Sequence, residues 1–449
     1  IIKTAIFSTS SNSMPFLKLG FLVLLALLTV PNRLNASSIG VNYGLVADNL
    51  PPPLEVATFI KTKTTFNRVK LFDANPDILR AFSNTGISVT ITVVNSLILS
   101  LTTLPSAQSW VAANIIPFHP QTLVDLVLVG NEVVATHDRS LIAHTLPAMK
   151  AINAALRLAN LTTIKVSTPH SLGILSSSEP PSSGRFRKGY DKIFFLPMLQ
   201  FLRQTSSPFV VNPYPYFGFK ADTLNYALFK PNKGFHDAAT GMTYTNMFDA
   251  QLDAVYSSMK KLGYGDVDIV VGETGWPWAG DPGQAGVSLE NALSYNGNLV
   301  KHVTSTKGTP LMPNRTFLVY IFSLFNEDLK PSISERSFGL FNPDFSPVYD
   351  AGVMINEPKK EWCVPRIDAS DDALQRNLDF VCGSGVNCIP IQVGGRCFDP
   401  NTVRSHAGYA MNAYYQKWGH RNLNCDFGNT GVITSTDPSY GACVYPSED

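Results

Sequence analysis

Between Ser38 and Tyr349, short apolar runs rich in β-branched and aromatic residues alternate with longer amphipathic segments, and this alternation constrains the fold more than any other feature of the chain. Eight runs read as strands: "SIGVNYG", "RVKLF", "ISVTITVV", "VDLVLVG", "IKVST", "FVVNPYPY", "DIVVGE" and "FLVYIFSLF". Helical segments separate them, such as "RSLIAHTLPAMKAINAALRLAN" and "TNMFDAQLDAVYSSMKKLG", the second stopped by Gly263 where a helix end favours a left-handed residue. Continuously apolar strands between helices belong to a parallel sheet covered on both faces, and eight such units suit a closed barrel. An open doubly wound sheet would announce a Gly-rich phosphate loop after its first strand, and "VNYGLVADNLPPP" contains none. The expected fold is therefore α/β: a (β/α)8 TIM barrel over residues 38–350, followed by a small disulfide-rich C-terminal domain.

The cysteines locate that second domain. All six (Cys363, Cys382, Cys388, Cys397, Cys425 and Cys443) lie in the last quarter of the chain. A polar linker over residues 351–360, around "NEPKK", leads into a six-cysteine module over 361–449, a size at which covalent staples supplement a small core. Zinc is disfavoured because paired C-x-x-C spacing and a nearby histidine pair are both missing. Six cysteines allow 15 pairings, and the sequence leaves them open. The eight histidines show no metal-ligand spacing and no Ser/His/Asp set stands out, so neither metal nor cofactor is expected.

Residues 1–37 read as an address. From Met14, "MPFLKLGFLVLLALLTV" sets one lysine before an apolar stretch too short for a comfortable membrane span, and the small residues of "NASS" follow, as in a secretory leader. Residues 1–13 precede the first methionine. The terminal "GACVYPSED" lacks the apolar tail of a glycolipid-anchor signal. The mature chain is thus expected outside the cell or in the cell wall, free of the membrane and monomeric. Sequons at Asn160 and Asn314 are available there for glycosylation. A net charge of +1 with 15% charged residues excludes a polyanion-binding stripe, and no nucleic acid partner is expected.

In a parallel barrel, the residues that terminate the strands face the functional end. Two runs end alike: "VLVGNE" puts Glu132 at the end of the fourth strand and "IVVGE" puts Glu273 at the end of the seventh. Paired carboxyls at one rim suit glycosidic cleavage, which needs a proton for the leaving oxygen and a carboxylate for an oxocarbenium-like carbon. Asn131 is placed to bond a sugar hydroxyl beside the reacting carbon. Tyr43, Phe72, Tyr214, Tyr216, Trp276, Trp278 and Phe325 follow strand ends, where flat rings can pack against pyranose faces. After the eighth strand, "FNEDLKPSISER" contributes Glu327, Lys330 and Glu335, a cation and carboxylates able to tune the pair or orient hydroxyls.

On "IGVNYG", "RVKLFDAN", "VLVGNEV", "VNPYPYF", "VVGETGWP", "FSLFNEDLKP" and "SERSFGLFNPDFSPVY", the chain resembles the plant endo-1,3-β-glucanases of glycoside hydrolase family 17. The resemblance implies a retaining (β/α)8 enzyme acting on 1,3-β-glucan, with Glu132 as general acid/base and Glu273 as nucleophile, the two carboxyls about 5 to 5.5 Å apart. It also implies a cleft lined by Tyr43, Asn131, Tyr214, Trp276, Glu327, Lys330 and Glu335. Residues 362–445, with "WCVP" and six cysteines, are similar to carbohydrate-binding module family 43; Trp362, Phe398, Tyr414, Tyr415 and Trp418 are candidate sugar contacts. Two departures stand out: the segment "PSIS" before Glu335 is one residue short of the family's usual run, and Trp278 occupies the place of a small residue. A glucan-binding wall protein without turnover, or a transglycosylase on the same scaffold, are the rival functions.

Overall fold

The computed structural model of the chain describes residues 39–355 and 360–447. They fall into two compact units, one comprising the chain up to Lys61 with Phe66–Gly352, the other Thr62–Thr65 with the chain from Val353 onward. The expected leader lies outside the described residues.

The first unit is built on nine parallel strands: β1 (Ile39–Tyr43), β2 (Arg68–Leu71), β3 (Ser88–Val93), β4 (Leu123–Val129), β5 (Lys165–Ser167), β6 (Pro169–Ser171), β7 (Phe209–Asn212), β8 (Ile269–Thr274) and β9 (Leu318–Ile321). Their order is β5-β4-β3-β2-β1-β9-β8-β7-β6. The two ends of this order are halves of one segment. Lys165–Ser167 pairs with β4, and beyond Thr168 the chain changes partner so that Pro169–Ser171 pairs with β7. Eight strand positions were expected and eight exist; the fifth is longer than "IKVST" and split. Pro169 has no N–H to extend the first ladder, which is a physical reason for the break.

The barrel interior is filled rather than open. Leu126, Leu128, Val210, Val270 and Tyr320 form one buried cluster, each Val or Leu contributing about 1.5–3 kcal/mol of burial energy before entropy is counted. The Tyr320 hydroxyl pairs with Thr90 Oγ1 at 2.8 Å, so its polar end is satisfied inside. Outside, helix α1 (Arg139–Leu158) starts at Asp138, whose carboxylate accepts from the Ser140 and Leu141 N–H groups. It buries Leu141, Ile142, Thr145, Ala148, Met149 and Ile152, a 3.6-period stripe. Helix α2 (Met247–Lys261) begins at Asn246 and is stopped by Gly263 at φ +86°, as the sequence implied.

The second unit pairs β10 (Trp362–Pro365) with β11 (Gly431–Thr434) in an antiparallel ribbon, beside helices α3 (Asp371–Gly383) and α4 (Val403–Lys417). Its disulfides are Cys363–Cys425, Cys382–Cys388 and Cys397–Cys443, one of the 15 pairings left open above. Trp362, Tyr409 and Tyr445 lie in its core, so much of the aromatic content of this small unit is structural.

Candidate active site

The barrel strands deliver their C-terminal residues to one cleft of about 1150 Å³, lined by Asn131, Glu132, Asn212, Tyr214, Glu273, Phe322, Lys330 and Glu335 among others. Both glutamates picked out by strand ends therefore share one cavity. The backbone after β4 explains how Glu132 gets there. Gly130 (φ +78°) and Glu132 (φ +50°) are both left-handed, which turns the chain sharply inward. A Cβ on Gly130 would collide with Ile98, Val133 and Asn95. Asn95 braces the residue between them: its Oδ1 accepts from the Asn131 N–H at 2.7 Å, and its Nδ2 donates to the Asn131 carbonyl at 3.1 Å. The Glu132 N–H donates to the Pro169 carbonyl at 3.1 Å, tying this turn to the break in the fifth strand position.

The two carboxyls stand in different environments. Glu273 is 8% exposed and accepts from the Lys70 ammonium (2.9 Å, Oε1) and the Tyr214 hydroxyl (3.1 Å, Oε2), the first of them a charge-assisted bond. Glu132 accepts one neutral bond, from Asn212 Nδ2 at 2.8 Å. Burial pushes its pKa up, the negative charge of Glu273 adds to that, and the Asn212 bond and Lys70 oppose it. One carboxyl thus favours its proton while the other is held by donors, a division of acid and base roles set by environment.

Lys70 is fully buried inside the barrel, 2.9 Å from Glu273, 3.2 Å from Asn42 Oδ1 and 3.9 Å from the centre of the Phe72 ring. Burial lowers its pKa, and the charges of Glu273 and Glu132 work against that loss. Sequence reasoning did not single out Lys70, Asn42, Asn95 or Asn212. A signal existed for the first: "RVKLF" interrupts an apolar strand with a cation, which is costly unless a buried anion waits for it.

Among the other expected site residues, Asn131, Tyr214, Lys330 and Glu335 line the cleft, and Tyr214 packs on Phe217 and Phe338. Burial, together with Glu273, raises the Tyr214 pKa well above that of a free phenol and keeps it a donor. Glu335 is exposed, and its N–H is capped by Ser332. Three other expected residues are buried and do not line the cleft surface. Trp276 is fully buried against Tyr216 and Tyr295, with its indole N–H on the Gly286 carbonyl at 2.9 Å; Tyr43 is buried edge-on to Phe325. Glu327 is 2% exposed, accepts from the Val46 N–H at 2.9 Å and has Lys330 at 3.9 Å; burial raises its pKa. Trp276 and Tyr43 are packed among other rings, whereas Glu327 is buried beside the cleft, near enough to Glu273, Lys330 and Glu335 to feel their charges. Trp278 is partly exposed and donates to Asn326 Oδ1 at 3.0 Å. Among the described residues no group of His, Cys, Asp or Glu has the geometry to hold a metal.

A parallel barrel whose cleft joins a carboxyl with a pKa raised by burial to a second carboxyl bound by an ammonium and a phenol has the makings of a glycoside-cleaving enzyme. The model of "Glycosyl hydrolases family 17" matches residues 39–353, and that of the "X8 domain" matches residues 361–432. The chain belongs to glycosyl hydrolase family 17. It is similar to a glucan endo-1,3-beta-glucosidase of Triticum aestivum, at 52% identity over 91% of this chain and 95% of that one. It is also similar to glucan endo-1,3-beta-glucosidase 7 of Arabidopsis thaliana, at 46% identity over 91% and 84%. Among solved structures it resembles the beta-1,3-glucanase and pollen allergen CJP38 of Cryptomeria japonica, at 43% identity and TM-score 0.66, over 70% of this chain and 98% of that one.

Proposed function

We propose that this chain is an endo-hydrolase of (1,3)-β-D-glucosidic linkages in 1,3-β-glucans, working by double displacement with Glu273 as nucleophile and Glu132 as general acid/base. In the first step a Glu273 oxygen attacks the anomeric carbon while Glu132 gives its proton to the departing glycosidic oxygen. In the second, Glu132 takes a proton from water, which displaces the carboxylate and restores both groups. The observation that carries the assignment is the asymmetry of the pair: two donors, one of them a buried ammonium, hold Glu273 as an acceptor, whereas burial raises the Glu132 pKa. Lys70 and Tyr214 orient the nucleophile and limit its charge until the glycosyl bond forms. Asn131, Lys330, Glu335 and the rings of Tyr214, Phe322 and Phe338 supply the polar contacts and flat surfaces of the sugar site. The names of the similar proteins support both the linkage and attack within a chain.

The domain division belongs to the same reading: a leader over 1–37, the hydrolase over 38–350, a linker over 351–360 and a glucan-binding module over 361–449. The enzyme acts as a monomer outside the cell, where the three disulfides are stable and the exposed Asn160 and Asn314 are open to glycosylation. Among the described residues no helix is long and apolar enough to cross a membrane. The test is digestion of linear 1,3-, mixed 1,3-1,4- and 1,4-β-glucans by the purified protein and by Glu273→Gln. Reducing ends are expected from the first polymer with the unmodified protein. Equal release by the variant, or attack only on 1,4-linkages, would overturn the assignment.

A further inference from the structure

The aromatic residues expected to touch sugar in the C-terminal unit divide sharply. Trp362 and Tyr415 are buried, whereas Trp418 keeps 50% of its surface and Phe380, which the sequence did not mark, keeps 55%. These two belong to one row. Tyr414 and Trp418 are four residues apart at the end of α4 and so share a face, with ring centres 6.2 Å apart. Phe380, in the last turns of α3, lies 5.5 Å from Tyr414, and Phe427 packs edge-on to Tyr414 at 5.4 Å.

The row is held firmly. The Trp418 N–H closes the helix on the Tyr414 carbonyl at 3.1 Å, and its own carbonyl accepts from Asn424 Nδ2 at 2.7 Å. Lys417 is committed to the Gly385 carbonyl at 2.8 Å, with its ammonium 5.5 Å from the Trp418 ring, so it flanks the row without offering a free cation for an anionic ligand. A small unit with a limited core gains from burying its largest apolar rings, and leaving two half-exposed, each in contact with Tyr414, forgoes that gain unless something else covers them. Three rings in successive contact, each tilted from the next by 54° and 49°, make a stepped apolar strip, which suits a twisting ligand that is itself a succession of C–H-faced rings carrying hydroxyls at their edges. β-Linked glucosyl units have this chemistry, since their axial hydrogens make both ring faces apolar.

We propose that Phe380, Tyr414 and Trp418 form a stacking platform that takes successive glucosyl units of a 1,3-β-glucan chain. The ligand rests on the function proposed above; the platform does not. Held on this row, the polymer stays at high local concentration for the enzyme tethered to it.

The experiment uses the full chain carrying Glu273→Gln, which leaves the polymer intact, and measures depletion onto insoluble linear 1,3-β-glucan. Trp418→Ala and Phe380→Ala are each expected to weaken binding about tenfold and the pair to weaken it further, while Trp418→Tyr, which keeps a ring, retains most of it. Unchanged binding by the double variant would overturn the platform. Hydroxyl-radical footprinting of the otherwise unaltered Glu273→Gln chain with soluble 1,3-β-glucan needs no change in the row. Protection of Phe380 and Trp418 is expected, and equal oxidation with and without glucan would also overturn the platform. Reducing-end release by the unmodified protein, run in parallel, separates the two claims: release without platform effects sinks the platform alone, whereas no release sinks the functional reading and the ligand named here.

Discussion

Replacing Lys70 by Met tests the electrostatics of the cleft most sharply. The substitution keeps most of the buried stem and removes the ammonium, so packing inside the barrel changes little while Glu273 loses a 2.9 Å charged donor and keeps only Tyr214. A hydrogen bond to a charged group is worth about 1.5–3 kcal/mol, and if that is spent on holding the nucleophile, kcat/KM falls by roughly 10- to 150-fold. A second effect has a definite sign. Lys70 is among the influences that lower the proton affinity of Glu132. Glu132 must be protonated to act as the acid, so activity is lost as pH rises through its pKa, and removing the cation moves that alkaline limb to higher pH. The assay is the pH profile of kcat/KM on a soluble 1,3-β-glucan oligosaccharide. A loss below about threefold with an unmoved alkaline limb would show that Lys70 is structural filling and would refute the reasoning.

Three further outcomes follow from particular contacts. Glu132→Gln should nearly abolish hydrolysis yet stabilise the fold: because burial raises the folded pKa, the native state loses stability as pH climbs from the unfolded carboxyl range through that pKa. The variant should therefore melt higher than the unmodified protein at pH 7 and level with it at pH 4, and calorimetry showing no gain at pH 7 would contradict this. Gly275→Ala, two residues past the nucleophile, places a Cβ against the Phe322 carbonyl oxygen and Phe338; it should cut kcat by at least about tenfold through displacement of Glu273, with wild-type turnover as the contrary result. Reduction of the disulfides should abolish retention on insoluble glucan while leaving turnover of short soluble substrate, since all six cysteines lie in the second unit. The 62-residue span closed by Cys363–Cys425 alone is worth about 4 kcal/mol in the chain-entropy model, and retention that survives full reduction would exclude this account.

Much of the barrel was legible because its signal is repetitive. Continuously apolar strands separated by amphipathic helices admit few topologies, and the rule that strand C-termini share one end brought Glu132 and Glu273 together from positions 141 residues apart. What stayed hidden depended on side-chain direction. Period-two patterning does not reveal that Lys70 points to the same interior as Glu273, because in a strand buried on both faces every position reads as core. Asn95 was hidden for a different reason: its role is to bond a backbone turn after another strand, a contact with no sequence spacing of its own. Trp276, Tyr43 and Glu327 follow strand ends like the cleft residues, yet all three are buried, a difference that position after a strand does not reveal. In the C-terminal unit, composition named too many aromatics, and only burial separated the structural Trp362 and Tyr415 from the exposed Trp418.

The division of labour between the two glutamates can be read directly with a mechanism-based 2-deoxy-2-fluoro laminaribiosyl fluoride, which slows release of the glycosyl-enzyme so that it accumulates. Peptide mass spectrometry of the labelled protein should find the sugar esterified to Glu273, with Glu132 unmodified. A label on Glu132, or inactivation with no covalent adduct at all, would contradict the account.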